Sequence, residues 1–337
     1  MLNEIAKNIY KMVITFPGGM GAVNAYLVKG KQGYTVVDTG MYSNESIGIW
    51  KRLLDTGISV EKVVLTHTHQ DHIGLAKWFQ QDFSVPVFVS EPGVAEMQKY
   101  CGQSTVKKLI RLVAQHGGPR VSPEMGEDSF IYDFQPDGTF HNNEQIQLGD
   151  DLYETIWTPG HAPDHFCFYN RQEKIMLIGD HILKNISPVI GLWSGEEGNP
   201  LADYLPSLDL IANFPSDIVL PGHGEPVYHL AERSAKLKES HYNRLQGVMD
   251  IVSREPKTAY EVCREMYGTI DIILQLSSFM ATLTRLLYLE AEGKVARKVD
   301  NGVVRFEVTG QGGLTLWLNF VIIIHITFST ESARIHP

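Results

Sequence analysis

The nine residues THTHQDHIG, 66 to 74, constrain this chain more than any other stretch. Three histidines and an aspartate fall within six positions, directly after the apolar run Val63-Val64-Leu65. Neutral imidazole nitrogen and carboxylate oxygen are the donor set of zinc sites, and burying such groups together without partners is costly. If the strand continues through His67 and His69, its period-two geometry puts both rings on one side. Asp71 and His72 are adjacent, so they enter from a turn or a first helical turn, at a different angle. A motif this dense does not easily wrap one ion alone, so further ligands have to come from elsewhere in the chain.

The rest of the sequence offers such ligands at the ends of β-rich runs. Residues 153–157 run into Thr158-Pro159-Gly160-His161, residues 175–178 into Gly179-Asp180-His181, and residues 217–220 into Pro221-Gly222-His223-Gly224. Side chains delivered from separate strand ends are how a rigid scaffold assembles a site from distant pieces. Residues 10–40 read as strands around the turn Gly30-Lys31-Gln32-Gly33. Residues 45–56 and 74–81 read as helices, and 62–65 and 85–89 as strands, an alternation that argues for an α/β layered fold. Residues 92–140 form an insertion of two amphipathic helices (94–100 and 106–116) and a Gly- and Pro-containing loop. It reads equally well as a lid over a pocket or as a structural excursion.

Beyond residue 230 the pattern changes. Residues 230–254 read as a long helix, Thr258-Ala259-Tyr260-Glu261 as a capping box opening another, and 278–291 as a third. Residues 294–308 read as a hairpin turning at Asp300-Asn301-Gly302. Helix, helix, hairpin is winged-helix-like, so the expected division is a main domain over 1–230, a C-terminal domain over 231–310 and a tail over 311–337. In that tail, residues 314–328 form an apolar run of fifteen residues interrupted by Asn319 and His325. It is too short to span a bilayer well and reads as a strand or an appended tail, with no membrane association expected.

The net charge of −10 counts against a general nucleic-acid binder, which needs a positive field. Acidic residues outnumber basic ones over 1–230, whereas 231–310 is near neutral. The N-terminal stretch, with Glu4 and Lys7, has no continuous apolar run and is not a secretory signal. Cys101, Cys167 and Cys263 lack close spacing and read as reduced thiols of a cytoplasmic protein.

Taken in order, THTHQDHIG, TPGH, GDHIL and LPGHG resemble the motifs of the metallo-β-lactamase-fold hydrolase superfamily, which includes glyoxalase II-like thioesterases, lactonases and several nucleases. The resemblance covers roughly residues 10–230. The C-terminal pattern resembles, more loosely, the winged-helix-like extension of the lactamase-β-like protein 2 type. The resemblance implies an αββα sandwich with two metals at one sheet edge. One zinc would take His67, His69 and His161, the second Asp71, His72 and His223, with Asp180 bridging them; iron or manganese would suit the same donors. Two such ions share a hydroxide able to attack an electrophilic carbon or phosphorus, and Asp71 would orient it or pass a proton to the leaving group.

Other residues carry smaller expectations. Asp38 braces the metal loops. His165 and His181 are partners of ligands or plain surface residues. Met20, Trp193 and Tyr204 line the pocket or pack in the core. The expected activity is hydrolysis of a small ester, thioester or lactone. The competing reading is a metal-dependent endoribonuclease, in which Lys294, Arg297, Lys298 and Arg305 of the hairpin would meet phosphates. With a small-molecule substrate, the C-terminal extension would instead serve packing or a homodimer contact.

Overall fold

The computed structural model describes residues 2–16, 21–268 and 272–309. Met20 and the whole apolar tail over 311–337 lie outside the described residues.

Alternation along β-rich runs builds two sheets. The first has β1 (Asn3–Ala6), β2 (Ile9–Thr15), β3 (Ala22–Lys29), β4 (Tyr34–Val37), β5 (Val60–Val64), β6 (Val87–Ser90) and β7 (Gly138–Phe140), in that order across the sheet. Strands β1 to β4 form an antiparallel meander, and β4 to β7 run parallel. The second sheet has β8 (Gln145–Leu148), β9 (Asp151–Trp157), β10 (Phe166–Asn170), β11 (Ile175–Gly179) and β12 (Ile218–Pro221), antiparallel except for the β11–β12 pair.

Each sheet buries both faces. Val28, Val37 and Val64 of the first sheet meet Phe166, Phe168, Ile175, Leu177 and Leu220 of the second in one cluster between the layers. Their neighbours one residue away, Leu27, Val36 and Val63, pack outward on Trp50 and Phe79. These two aromatics come from α1 (Asn44–Leu54) and α3 (Ala76–Phe83), which flank the single-turn α2 (Gln70–Ile73). On the far side, Cys167, Tyr169, Met176, Ile178 and Val219 pack against later helices. The architecture is therefore the expected α/β sandwich of two sheets between two helical layers.

The insertion is more ordered than its sequence suggested. Helices α4 (Glu91–Tyr100) and α5 (Ser104–Gln115) are followed by a 3-10 helix over Pro123–Tyr132, where a loop was expected. Ser122 caps that turn through Glu124 N, and Tyr132 stacks on Tyr100 with centroids 5.3 Å apart. One helix has no counterpart in the sequence reading. In α6 (Pro200–Ile211), Pro206 sits in the interior, where it removes one backbone donor. The helix persists because Asn199 caps its start and Leu201, Tyr204, Leu205 and Leu208 are buried.

The C-terminal elements are α7 (Leu230–Val252), α8 (Ala259–Tyr267), α9 (Ile272–Ala291), β13 (Val295–Asp300) and β14 (Val303–Val308). The Thr258 capping box is formed on both sides, and α9 starts six residues before its expected position. Leu245, Val248, Phe279, Leu283 and Phe306 belong to the same apolar cluster as the outer face of the second sheet. All four hairpin cations sit beside carboxylates: Lys294 near Glu292, Arg297 on Glu197 and Glu290, Lys298 on Glu307, and Arg305 on Glu261. Among the described residues, no helix is long and apolar enough to cross a membrane.

Candidate metal centre

Four strands of the sandwich end at one edge, and each delivers donors there. Strand β5 ends at Val64, five residues short of the His69 that the alternation argument required it to reach, so His67 and His69 stand in a loop and not in the strand. The loop is drawn out of the ladder by Asp38, whose Oδ1 accepts Thr66 N (2.8 Å) and whose Oδ2 accepts Thr66 Oγ1 (2.8 Å). His69 is then the N-cap of α2, which presents Asp71 and His72 from its first turn as expected. His161 follows β9, Asp180 follows β11, and His223 follows β12.

These seven side chains fall into two groups. In the first, His67 Nε2 lies 3.1 Å from His69 Nδ1, which lies 2.9 Å from His161 Nε2. In the second, Asp71, His72, Asp180 and His223 bring their donor atoms within 4.8 Å of one another. Asp180 faces both groups: its Oδ2 is 3.2 Å from His223 Nε2 and 3.5 Å from His161 Nε2.

The outward ring nitrogens decide which lone pairs point inward. His161 Nδ1 donates to Val189 O (2.9 Å), and His223 Nδ1 to Ala22 O (2.6 Å). His72 Nδ1 donates to Asp38 Oδ2 (2.8 Å). A carbonyl or carboxylate acceptor fixes Nδ1 as the donor, so Nε2 is the nitrogen that faces the centre and would offer its lone pair to a cation there. The Asp38 backbone is left-handed at φ 60, a strained state for a residue with a Cβ, held by these three bonds. Asp38 thus braces the loops. His165 does so as well, accepting Asp180 N with its Nε2 (3.0 Å) while its Nδ1 bonds to Thr158 Oγ1 (2.8 Å). His181 does not: it is buried edge-on against Tyr204, and neither ring nitrogen has a hydrogen-bond partner among the described residues.

The residues fit a pair of divalent cations. His72 Nε2 and Asp180 Oδ1 are buried 3.5 Å apart without a hydrogen bond to each other or to any other described residue, a state that a cation held between them would relieve. Burial keeps His67, His69 (down to about 3) and His161 neutral, the state a metal requires. In the second group burial also opposes charge, but Asp71, Asp180 and Asp38 outweigh it at His72, and Asp180 and Asp71 raise His223 to about 10. Reciprocally, these imidazoles hold Asp180 well below the usual carboxylate range and Asp71 at about 2, against the pull of burial. Without metal, the second group balances its carboxylates with protons, which a cation there would displace.

The centre opens into a cavity of about 500 Å³. Its floor carries His69, Asp71, His161 and Asp180, and the insertion walls it with Tyr100, Val106, Leu109 and Tyr132. Trp193 lines it, whereas Tyr204 packs in the core and donates to His181 O (2.7 Å). Among the described residues, its lining includes Glu124 and Asp128 and no lysine or arginine. Sequence reasoning missed Val189 and Ala22, which act through main-chain carbonyls and so leave no residue-type signal. It also missed Gly222, visible only as the middle of Pro-Gly-His.

Behind the loop, Asp164 is 1% exposed and its Oδ2 has no partner. Burial pushes its carboxyl up to about 7, with Thr68 lowering it and Glu96 raising it. The unfolded chain ionises near its ordinary value while the folded chain keeps the proton, so stability falls as pH rises from about 4 to about 7 and then levels off. Asp164→Asn in metal-free protein is therefore expected to be nearly neutral at pH 4 and stabilising by on the order of 2–4 kcal/mol at pH 8. Denaturant melts of both proteins at both pH values test this, and an equal difference at the two would refute it.

The metallo-beta-lactamase superfamily model matches residues 18–223. The protein named "Probable metallo-hydrolase YqjP" from Bacillus subtilis (strain 168) is 26% identical over 316 residues, covering 89% of this chain and 98% of its own. An atrochrysone carboxyl ACP thioesterase from Aspergillus chevalieri is 23% identical over 327 residues, covering 92% and 89%. The crystal structure of a metallo-beta-lactamase family protein from Thermus thermophilus superimposes with TM-score 0.79 at 28% identity, over 90% of this chain and 99% of that one. With the motif order and the two donor groups in place, the chain belongs to the metallo-beta-lactamase superfamily and is a hydrolase of that fold.

Proposed function

We propose that this protein hydrolyses a small ester-type substrate, a thioester foremost, at a two-metal centre. His67, His69 and His161 would hold one divalent cation, Asp71, His72 and His223 the other, and Asp180 both. The carrying observation is the position of Asp180 Oδ2 between His161 and His223 at the floor of an apolar-walled cavity. Cations there supply Lewis acidity toward a carbonyl and a nucleophile from water at neutral pH. The chain's own groups do the rest. Asp38 and His165 fix the ligands that surround the reacting atoms. Tyr100, Tyr132, Val106 and Leu109 exclude water around the acyl part. Asp71, an ionised carboxylate at the cavity floor, would accept the proton that the attacking water gives up and hand it to the leaving atom.

Relatives named as thioesterases support the ester-type reading. An RNA substrate is disfavoured because the cavity offers acidic side chains, and the hairpin cations are already beside carboxylates. The test is a panel of thioesters, lactones, aryl esters and single-stranded RNA on the metal-loaded protein. Turnover of a thioester or ester is expected, lost on chelation and restored by zinc, with close to two divalent ions per chain by elemental analysis. RNA cleavage with no ester turnover, weakened by neutralising Lys294, Arg297, Lys298 and Arg305, would replace this reading with the nuclease one.

A further inference from the structure

A second cavity, of about 400 Å³, lies between α7, α9 and the segment 185–189. Its chemistry is the reverse of the first: Arg233, Arg244 and Arg285 line it with Tyr267, and among the described residues no acidic one lines it. Val189 and Ser277 line both cavities. Val189 O is also the acceptor of His161 Nδ1 at 2.9 Å, so this groove begins beside the metal centre.

Among the described residues, none of the three guanidinium groups pairs with a carboxylate. Arg233 donates to Leu183 O and Ile186 O, both at 2.7 Å, which fixes its plane. Arg285 is 4% exposed and donates through Nη1 to Tyr267 Oη (3.0 Å) and Ala281 O (2.9 Å), leaving its buried Nε without a partner. A buried guanidinium with an idle N–H is costly unless an anion comes to it. The positive charge of the groove is felt next to it. His241, bonded to Ser187 Oγ at 3.1 Å, is pushed down to about 3 by burial and then by Arg285 and Arg244.

We infer that this groove is the anion subsite of the same active site. It takes a phosphate carried on the departing arm of the substrate while the acyl part lies in the apolar cavity. The inference rests on the ester-type reading for its placement of the two arms. Phosphate suits the groove because its several acceptor oxygens match three guanidinium groups and the hydroxyls of Ser240 and Ser278. The acidic mouth of the first cavity, with Glu124 and Asp128, leaves the groove as the place for a negative group.

The test uses metal-loaded protein and two non-hydrolysable probes, the S-methyl ethers of phosphopantetheine and of pantetheine. The ether removes any thiolate that could bind metal. Calorimetry is expected to show the phosphorylated probe binding at least about tenfold tighter to the wild type. Arg244→Gln, at a half-buried position away from the metals, is expected to erase that preference. Arg285→Gln should do the same, with melting curves reporting whether it folds. Equal binding of the two probes by the wild type, or a preference surviving Arg244→Gln, overturns the inference. Kinetics on the matching thioesters distinguish this from a failure of the functional reading. If neither thioester turns over, the thioesterase proposal falls, and the probe comparison still decides the groove.

Discussion

Asp180→Ala is expected to lose at least one metal ion per chain and to lower kcat/KM on the order of a thousandfold. Its carboxylate is the group that reaches both donor clusters, 3.2 Å from His223 Nε2 and 3.5 Å from His161 Nε2. Removing it takes one negative charge from a centre built to hold cations, and it empties the position the two groups share. The sandwich should survive. Asp180 follows β11, and its side chain belongs to none of the apolar clusters between or outside the sheets. Elemental analysis, turnover and a far-UV spectrum together test the claim. Wild-type turnover with both ions retained would place the shared ligand elsewhere.

Gly222→Ala is expected to damage the centre nearly as much, though glycine offers no donor. A Cβ there would stand 2.3 Å from Asp180 Oδ1 and 2.8 Å from His72 Cε1. The backbone cannot retreat, because Gly222 N donates to Gly179 O and Gly222 O accepts Asn24 N, both at 2.7 Å. Two side chains of the second donor group would have to move, and misplacements of that size in metal sites cost on the order of a hundredfold in affinity or activity. Gly198→Ala is the control, since its nearest neighbour to a Cβ is 3.9 Å away. Loss of about one ion and most activity in Gly222→Ala alone is the expected result. Full metal content in that variant would show that the loop relaxes more easily than its hydrogen bonds allow.

The donors were legible in the sequence because few side chains can bind a metal, and their order along strand ends restricts them further. His67, His69, Asp71, His72, His161, Asp180 and His223 are all brought to one edge. Their setting was less legible. Alternation put His67 and His69 on a strand, but Asp38 competes for the backbone of Thr66 and ends the ladder earlier. The acceptors that orient His161 and His223 are carbonyls of Val189 and Ala22, and every residue has a carbonyl. Helix α6 was hidden by Pro206, whose intrinsic cost is overridden by burial of its apolar face. The arginine groove is assembled from α7 and α9, positions far enough apart that composition reads only as near neutral.

The bond from His161 to Val189 O has a consequence beyond tautomer choice. The next residue, Ile190, takes its carbonyl bond from Thr284 Oγ1 in α9 at 3.0 Å. A C-terminal helix thus grips the segment that aims His161. Whatever tightens the grip on that histidine tightens the helix, and loosening the helix loosens the histidine, by the reciprocity that governs any pair of linked equilibria. Cutting the chain after residue 230 would therefore not release a smaller enzyme. It would remove the anchor of the segment that orients His161.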